Sequence, residues 1–287
     1  MSAGGGRARV RALALAACAA PALAGAALAV NPSAKHATTP EALQLRYEAV
    51  RFPAADSVGR DGWWFAAPDS GPIVVIAPRG HGTMADMLPA VAQWQARGFG
   101  VLTFDYRGFG PGSAPGDTLA QVVYASQWVD DMVGALRYAR ARAGRTRHVF
   151  AWGQDLGSDV CVAAAGRDRR LCDAVAVEGL FRTSQEELAV HGLSGFPEVM
   201  ERHRRLVDPI DEPLSAASRM QVPLMVVLAG RDSVARPATT RQIAARNPIR
   251  WDSLTFPDAR HDDADRQPGY FDKLAAWLRQ WLPFPTP

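Results

Sequence analysis

Short runs of uninterrupted apolar residues alternate along the chain with longer stretches of helical periodicity. The apolar runs are Ile73-Val74-Val75-Ile76-Ala77, Val101-Leu102-Thr103-Phe104, 148–152, Ala174-Val175-Ala176-Val177 and 223–228, and 250–256 is predicted as a further strand. Helical stretches are predicted over 84–97, 121–143, 158–165, 239–245 and 271–281. In the second of these Val122, Ala125, Val129, Met132, Val133 and Leu136 share one side. A strand that is apolar at every position is buried on both faces. Such strands alternating with helices predict an α/β fold, a mainly parallel sheet with helices on both faces. Two further strands, 45–52 and 62–66, lead into this regular part. Residues 181–220 break the rhythm with Glu186, Glu187, His191, Glu198, Arg202, Arg204 and Arg205. They are expected to form a small helical cap over the C-terminal edge of the sheet, where α/β proteins place their sites. There is no internal repeat and no sign of a second domain.

Residues 1–30 stand outside the pattern. Arg7, Arg9 and Arg11 precede an alanine- and leucine-rich stretch ending in small-residue patterns at Ala22-Leu23-Ala24 and Ala27-Leu28-Ala29. This is the layout of a secretory signal peptide. A retained membrane helix is the alternative, but the stretch is barely long enough at about 20 residues and is built mostly from alanine. The run Leu15-Ala16-Ala17-Cys18 is also similar to a lipobox, although only about six apolar residues precede the cysteine, short for such a signal. The protein is expected to be exported, periplasmic or secreted, with a membrane anchor only if Cys18 is lipidated. Residues 31–44 are expected as a tether and 45–287 as the folded domain.

Removing that segment changes the charge picture. The chain has 32 basic and 29 acidic residues, and the three arginines of the first 30 leave 29 against 29. A near-neutral domain gives no electrostatic footprint for nucleic acid. The six histidines are scattered and Cys-x-x-Cys spacing is absent, so neither a metal nor a cofactor is expected. Cys161 and Cys172 are expected to form a disulfide if the protein is exported, with two buried thiols as the alternative.

Three features fall at predicted strand ends. Gly153-Gln154-Asp155-Leu156-Gly157 follows the strand 148–152, Asp232 follows 223–228, and His261 follows 250–256. Nucleophile, acid, histidine is the chain order of an α/β-hydrolase triad, and only strand-end loops let three distant segments converge. From about 45 to 281 the chain resembles the α/β-hydrolase superfamily, with the serine-aminopeptidase-like and Bem46-like hydrolases nearest. The resemblance rests on Gly98-Phe99-Gly100-Val101-Leu102-Thr103-Phe104-Asp105-Tyr106-Arg107-Gly108-Phe109-Gly110, on the 153–157 elbow, and on 257–270 with Gln267-Pro268-Gly269-Tyr270. It departs at the elbow centre, where Asp155 stands in place of serine. The resemblance implies an α/β-hydrolase fold, a small-molecule substrate, and an oxyanion hole made by the backbone N–H groups of Leu156 and of His81 in Arg79-Gly80-His81-Gly82-Thr83. Gly80-x-Gly82-x-x-Ala85 with Asp105 is also close to a dinucleotide fingerprint. That reading leaves Asp155, Asp232 and His261 unexplained.

An aspartate in the elbow changes the chemistry. Carboxylate attack on an ester or amide carbonyl would give a mixed anhydride, uphill and with a poor leaving group. Attack on an sp3 carbon bearing a halide or epoxide oxygen gives an ordinary ester. Water activated by His261, itself oriented by Asp232, can hydrolyse that ester. Gln154-Asp155 resembles the elbow of haloalkane dehalogenases, but Leu156 stands where those enzymes carry a halide-binding tryptophan. Epoxide hydrolases protonate their substrate from cap tyrosines, and 181–220 contains no tyrosine or tryptophan; Arg182, His191 and Arg202 are the candidate donors. Glu178 is either an auxiliary acid or, as expected here, a solvated strand-end carboxylate. Ser158, Ser194 and Ser233 all lack the nucleophile's context. The competing expectation is an inactive periplasmic binding or scaffolding protein, its imidazolium held between two carboxylates as a poor base.

Overall fold

The computed structural model describes residues 30–68, 71–112, 125–144, 146–181, 183–190, 192–261 and 263–282. Residues 1–29, with the expected signal and Cys18, lie outside the described residues, as do Arg182 and His191. Among the described residues no helix is long and apolar enough to cross a membrane.

The main sheet has eight strands: β1 Glu48–Pro53, β2 Gly59–Phe65, β3 Ile73–Ala77, β4 Gly100–Phe104, β5 Val149–Gln154, β6 Ala174–Glu178, β7 Leu224–Ala229 and β8 Trp251–Phe256. Their spatial order is β8-β7-β6-β5-β3-β4-β2-β1. β2 is antiparallel to both β1 and β4, and every pair from β4 through to β8 is parallel. The helices are α1 Leu88–Gln95, α2 Ser126–Ala143, α3 Leu156–Arg167, α4 Ser184–Val190, α5 Pro197–Leu206, α6 Pro213–Ala217, α7 Pro237–Ala244 and α8 Tyr270–Arg279.

Alternation along β3 shows why both faces are covered. Ile73, Val75 and Ala77 join a core with Trp128, Val129 and Met132 of α2 and Val160 of α3. Val74 and Ile76 face the opposite core, with Leu88, Val91 and Trp94 of α1 and Leu274 and Leu278 of α8. In that second core Trp94 meets Trp152 and Phe271 edge-on, with ring centroids 6.0 and 5.4 Å apart, a favourable aromatic geometry. Residues 181–220 carry α4, α5 and α6, and Leu188, Leu193, Val199 and Val207 bury into the α2/α3 core.

Two expectations are corrected. Residues 31–44 are not a loose tether. Asn31–Pro32 pairs in parallel with His81–Gly82, Gly110 N donates to the Ser33 carbonyl at 2.7 Å, and Pro40–Leu43 forms a 3₁₀ turn. His36 Nε2 lies 2.6 Å from Asp105 Oδ2, while Met84 N donates to Asp105 Oδ1 at 2.8 Å. Asp105 is therefore committed to holding the polypeptide, which removes the acid that a dinucleotide ribose would need. Cys161 and Cys172 are both free and buried. Burial raises both thiols, that of Cys172 to about 12, as expected for thiols kept neutral away from water.

Candidate active site

β5 runs straight into α3 through a single residue. Asp155 has φ 54° and ψ −129°, in the left-handed half of backbone space that non-glycine residues rarely occupy. Close approach accounts for the flanking glycines. A Cβ on Gly153 would stand 2.2 Å from the Gly157 carbonyl oxygen, and one on Gly157 2.4 Å from that of Ala77. The turn is tied to the next strand, because Asp155 N donates to the Glu178 carbonyl at 3.0 Å. Ser158 is fully buried, its hydroxyl lying between the carbonyls of Gly153 and Glu178, so it does not face the elbow's open side.

The structure brings Asp155, Asp232 and His261 together. Asp232 Oδ1 accepts from Val234 N and Ala235 N at 2.8 and 2.9 Å. Its Oδ2 lies 2.9 Å from His261 Nδ1. An ionised carboxylate only accepts, so the Nδ1 proton belongs on this bond and Nε2 is left as the base. His261 Nε2 is 3.9 Å from Asp155 Oδ1, beyond hydrogen-bond length. On the other side of the same carboxylate, His81 Nε2 is 3.8 Å from Oδ2, with the His81 side chain 45% exposed. His81 was expected to serve through its backbone, yet its ring also reaches the site. Leu156, wholly buried, opens α3, where first-turn N–H groups have no intrahelical acceptor.

Behind the elbow lies a polar brace. Arg79 Nη2 donates to Gln154 Oε1 at 2.6 Å and to Asp265 Oδ2 at 2.8 Å. Gln154 Nε2 donates to Glu178 Oε2 at 2.8 Å, and Ala264 N to Glu178 Oε1 at 3.2 Å. Glu178 is therefore not the solvated carboxylate expected from its strand-end position; it is 2% exposed and links the elbow to the histidine loop. Tyr270 is enclosed beside it, its hydroxyl accepting from Trp152 Nε1 at 3.2 Å. Burial first, and then Glu178, push its pKa well up. A groove of about 440 Å³ lies along this brace, lined in part by Arg79, Gln154, Asp265 and Tyr270, and it touches none of Asp155, Asp232 and His261. Gln154 and Glu178 are the polar ends of β5 and β6, and the fold pairs them in register.

The family model for the alpha/beta hydrolase fold matches residues 74–273. The chain belongs to that family. The polyketide transferase GrgF of Penicillium sp is 28% identical over 152 residues, 50% of this chain and 51% of that protein. The chain thus spans about half the length of that curated relative. The uncharacterised protein YfhR of Escherichia coli O157:H7 is 26% identical over 227 residues, 76% of this chain and 74% of YfhR. Among solved structures, an esterase of Pyrococcus furiosus superposes with a TM-score of 0.70 at 17% identity, covering 90% of this chain and 100% of that one. The structure of GrgF does so at 0.64 and 17%, covering 84% and 100%. At such identities the structural likeness is one of fold.

This α/β hydrolase carries further acidic side chains around its elbow. Asp159 sits one helical turn beyond Asp155 on α3, and Glu187 comes from α4; each is 1% exposed. None of their four carboxylate oxygens has a hydrogen-bond partner. Burial is the largest influence on both and raises both pKa values well above the usual range. Glu187 and then Asp155 add to it for Asp159, which the Phe181 amide offsets without hydrogen-bond geometry. Asp155 and Glu212 add to it for Glu187, with His261 acting in the opposite sense. Among the described residues no group of three or more histidine, cysteine or acidic side chains is arranged to hold a metal ion. The sequence marked Glu187 only as one of the polar residues of 181–220 and did not single out Asp159. The four-residue spacing from Asp155 to Asp159 was the available signal, since it stacks two side chains on one helix face.

Proposed function

We propose that the protein is a hydrolase in which Asp155 attacks an sp3 carbon bearing a halide or an epoxide oxygen, with His261 and Asp232 activating water for the second step. The observation that carries this reading is a carboxylate in the strained elbow position, with His261 Nε2 3.9 Å from its Oδ1. That separation is too long for a direct hydrogen bond and suited to a water between them.

In the first step an Asp155 oxygen displaces the leaving group and forms an alkyl ester. In the second, His261 takes a proton from water, Asp232 steadies the imidazolium, and water adds to the ester carbonyl. The N–H of Leu156 and the His81 backbone stabilise the resulting oxyanion. The names of the relatives, an esterase and a polyketide transferase, describe those proteins. Asp155 turns this chain away from acyl transfer, because its attack on an acyl carbon would end in a mixed anhydride. Export to the periplasm or beyond, as read from residues 1–30, belongs to the same proposal, as does a small-molecule substrate.

The test is intact-protein mass spectrometry of His261→Ala enzyme exposed to a panel of haloalkanes, epoxides and activated esters. A stable adduct that disappears in the Asp155→Ala, His261→Ala double variant is expected. No adduct and no turnover across the panel would identify an inactive member of the family. Ester turnover that survives Asp155→Ala would show that the nucleophile lies elsewhere.

A further inference from the structure

A halide and an epoxide oxygen ask different things of their surroundings. A halide leaves as a weakly basic anion and needs no proton. An epoxide oxygen becomes an alkoxide on the same carbon skeleton and needs a proton. The surroundings of Asp155 are acidic, and one of the acids comes from the cap. Glu187 on α4 is 1% exposed, and neither of its oxygens has a hydrogen-bond partner. The groups that act on it electrostatically are Asp155 at the elbow, Glu212 ahead of α6 and His261 of the triad, while Asp159 on α3 feels Glu187 in turn.

A buried carboxyl among carboxylates is kept neutral, and a neutral carboxyl is a proton donor in search of an acceptor. A native fold retains such an unsatisfied group only where something else accounts for it. We propose that Glu187 is the acid that protonates the departing oxygen, so that the substrate of the Asp155 site is an epoxide rather than an alkyl halide. This rests on Asp155 acting as the nucleophile. It supplies from the cap the proton donor that 181–220, lacking tyrosine, otherwise wants.

The protons balance. Asp155 attacks the epoxide carbon, the ring C–O bond breaks, and the oxygen takes the Glu187 proton, leaving a hydroxyalkyl ester and a Glu187 carboxylate. Water gives one proton to His261 and adds to the ester carbonyl. Collapse expels the second diol oxygen, which takes the proton back from His261, and leaves Asp155 as a carboxylic acid. That proton passes to Glu187. The sum is epoxide plus water to vicinal diol, with both acids restored.

Wild type and Glu187→Gln should be compared in single turnover with a terminal epoxide and the matching alkyl bromide, following ester formation by mass. The infrared carbonyl band of protonated carboxyls should be recorded at pH 7 alongside. Alkylation by the epoxide is expected to slow by about 100-fold or more in Glu187→Gln, the usual scale of general acid catalysis, with the bromide reaction not slowed. A protonated-carboxyl band should be present and should weaken in the variant. Equal epoxide rates in the two proteins, or a wild type that prefers the bromide, would overturn the role of Glu187 and leave the Asp155 nucleophile standing. Absence of any ester would overturn both. A Glu187 band missing from the infrared difference would overturn the role by itself, whatever the kinetics. So would stabilisation of wild type, but not of Glu187→Gln, by an alkylammonium ion, since Glu187 would then be a carboxylate that holds a cation.

Discussion

Asp155 and Asp159 carry the same side chain one helical turn apart, and their surroundings give them different tasks. Asp155 has two imidazoles within 4 Å of its oxygens, at 3.9 and 3.8 Å. Asp159 has no hydrogen-bond partner, and burial raises its pKa well above the usual range. The folded state therefore holds a proton on Asp159 at pH values where the unfolded chain has released it. Its contribution to stability is complete below the ordinary carboxylate range and declines as pH rises through and above it. Asp159→Asn removes the titration. It is expected to raise stability at pH 8 by about 1 kcal/mol or more, since a tenfold change in proton affinity is worth about 1.4 kcal/mol, with little change at pH 4. Urea midpoints measured across that interval give the check: a wild-type slope that falls with pH, and a flatter line for the variant.

At the level of elements, β3, β5, β6 and α3 meet at the elbow. The 2.4 Å separation between a Gly157 Cβ and the Ala77 carbonyl oxygen leaves α3 no way to keep its position if a methyl group is added. Gly157→Ala is expected to cost about 1–3 kcal/mol, the usual range for overpacking, measured as a lowered denaturation midpoint. Activity should fall further than that loss explains, because Asp155 and the Leu156 N–H ride on the displaced helix. The polar brace of Arg79, Gln154 and Glu178 belongs to the same junction. Gln154 alone read as part of a nucleophile motif, and Glu178 alone as a surface carboxylate. Neither residue type indicates a brace until β5 and β6 lie side by side and bury both, when each polar group must find a partner in the other or in the loops.

For the molecule as a whole, Arg107 ties three separate segments together. It donates to Asp131 on α2 from Nε and Nη2, at 3.0 and 2.6 Å, and to Asp56 in the β1–β2 turn from Nη1 and Nη2, at 2.6 and 2.9 Å. Asp131 is wholly buried, and burial pushes its pKa up against the pull of Arg107. Arg107→Ala would leave that carboxyl without its main partner. The expected cost is about 3–5 kcal/mol, typical of breaking a buried ion pair from one side, seen as a drop in thermal midpoint. Arg107 was visible in the sequence only as one letter of a strand-and-loop segment resembling other hydrolases. The apolar runs determined the central strands, because a stretch apolar at every position can be buried only between two layers. Their order along the chain, with Asp155, Asp232 and His261 each leaving a strand end, determined the family of folds and where these three residues gather. The tertiary structure alone decided what surrounds Asp155: the His81 ring, the buried Asp159, and Glu187 brought down by the cap. Long-range packing sets which side chains meet at one sheet edge. Burial then decides which of them are charged, and neither is encoded in local pattern.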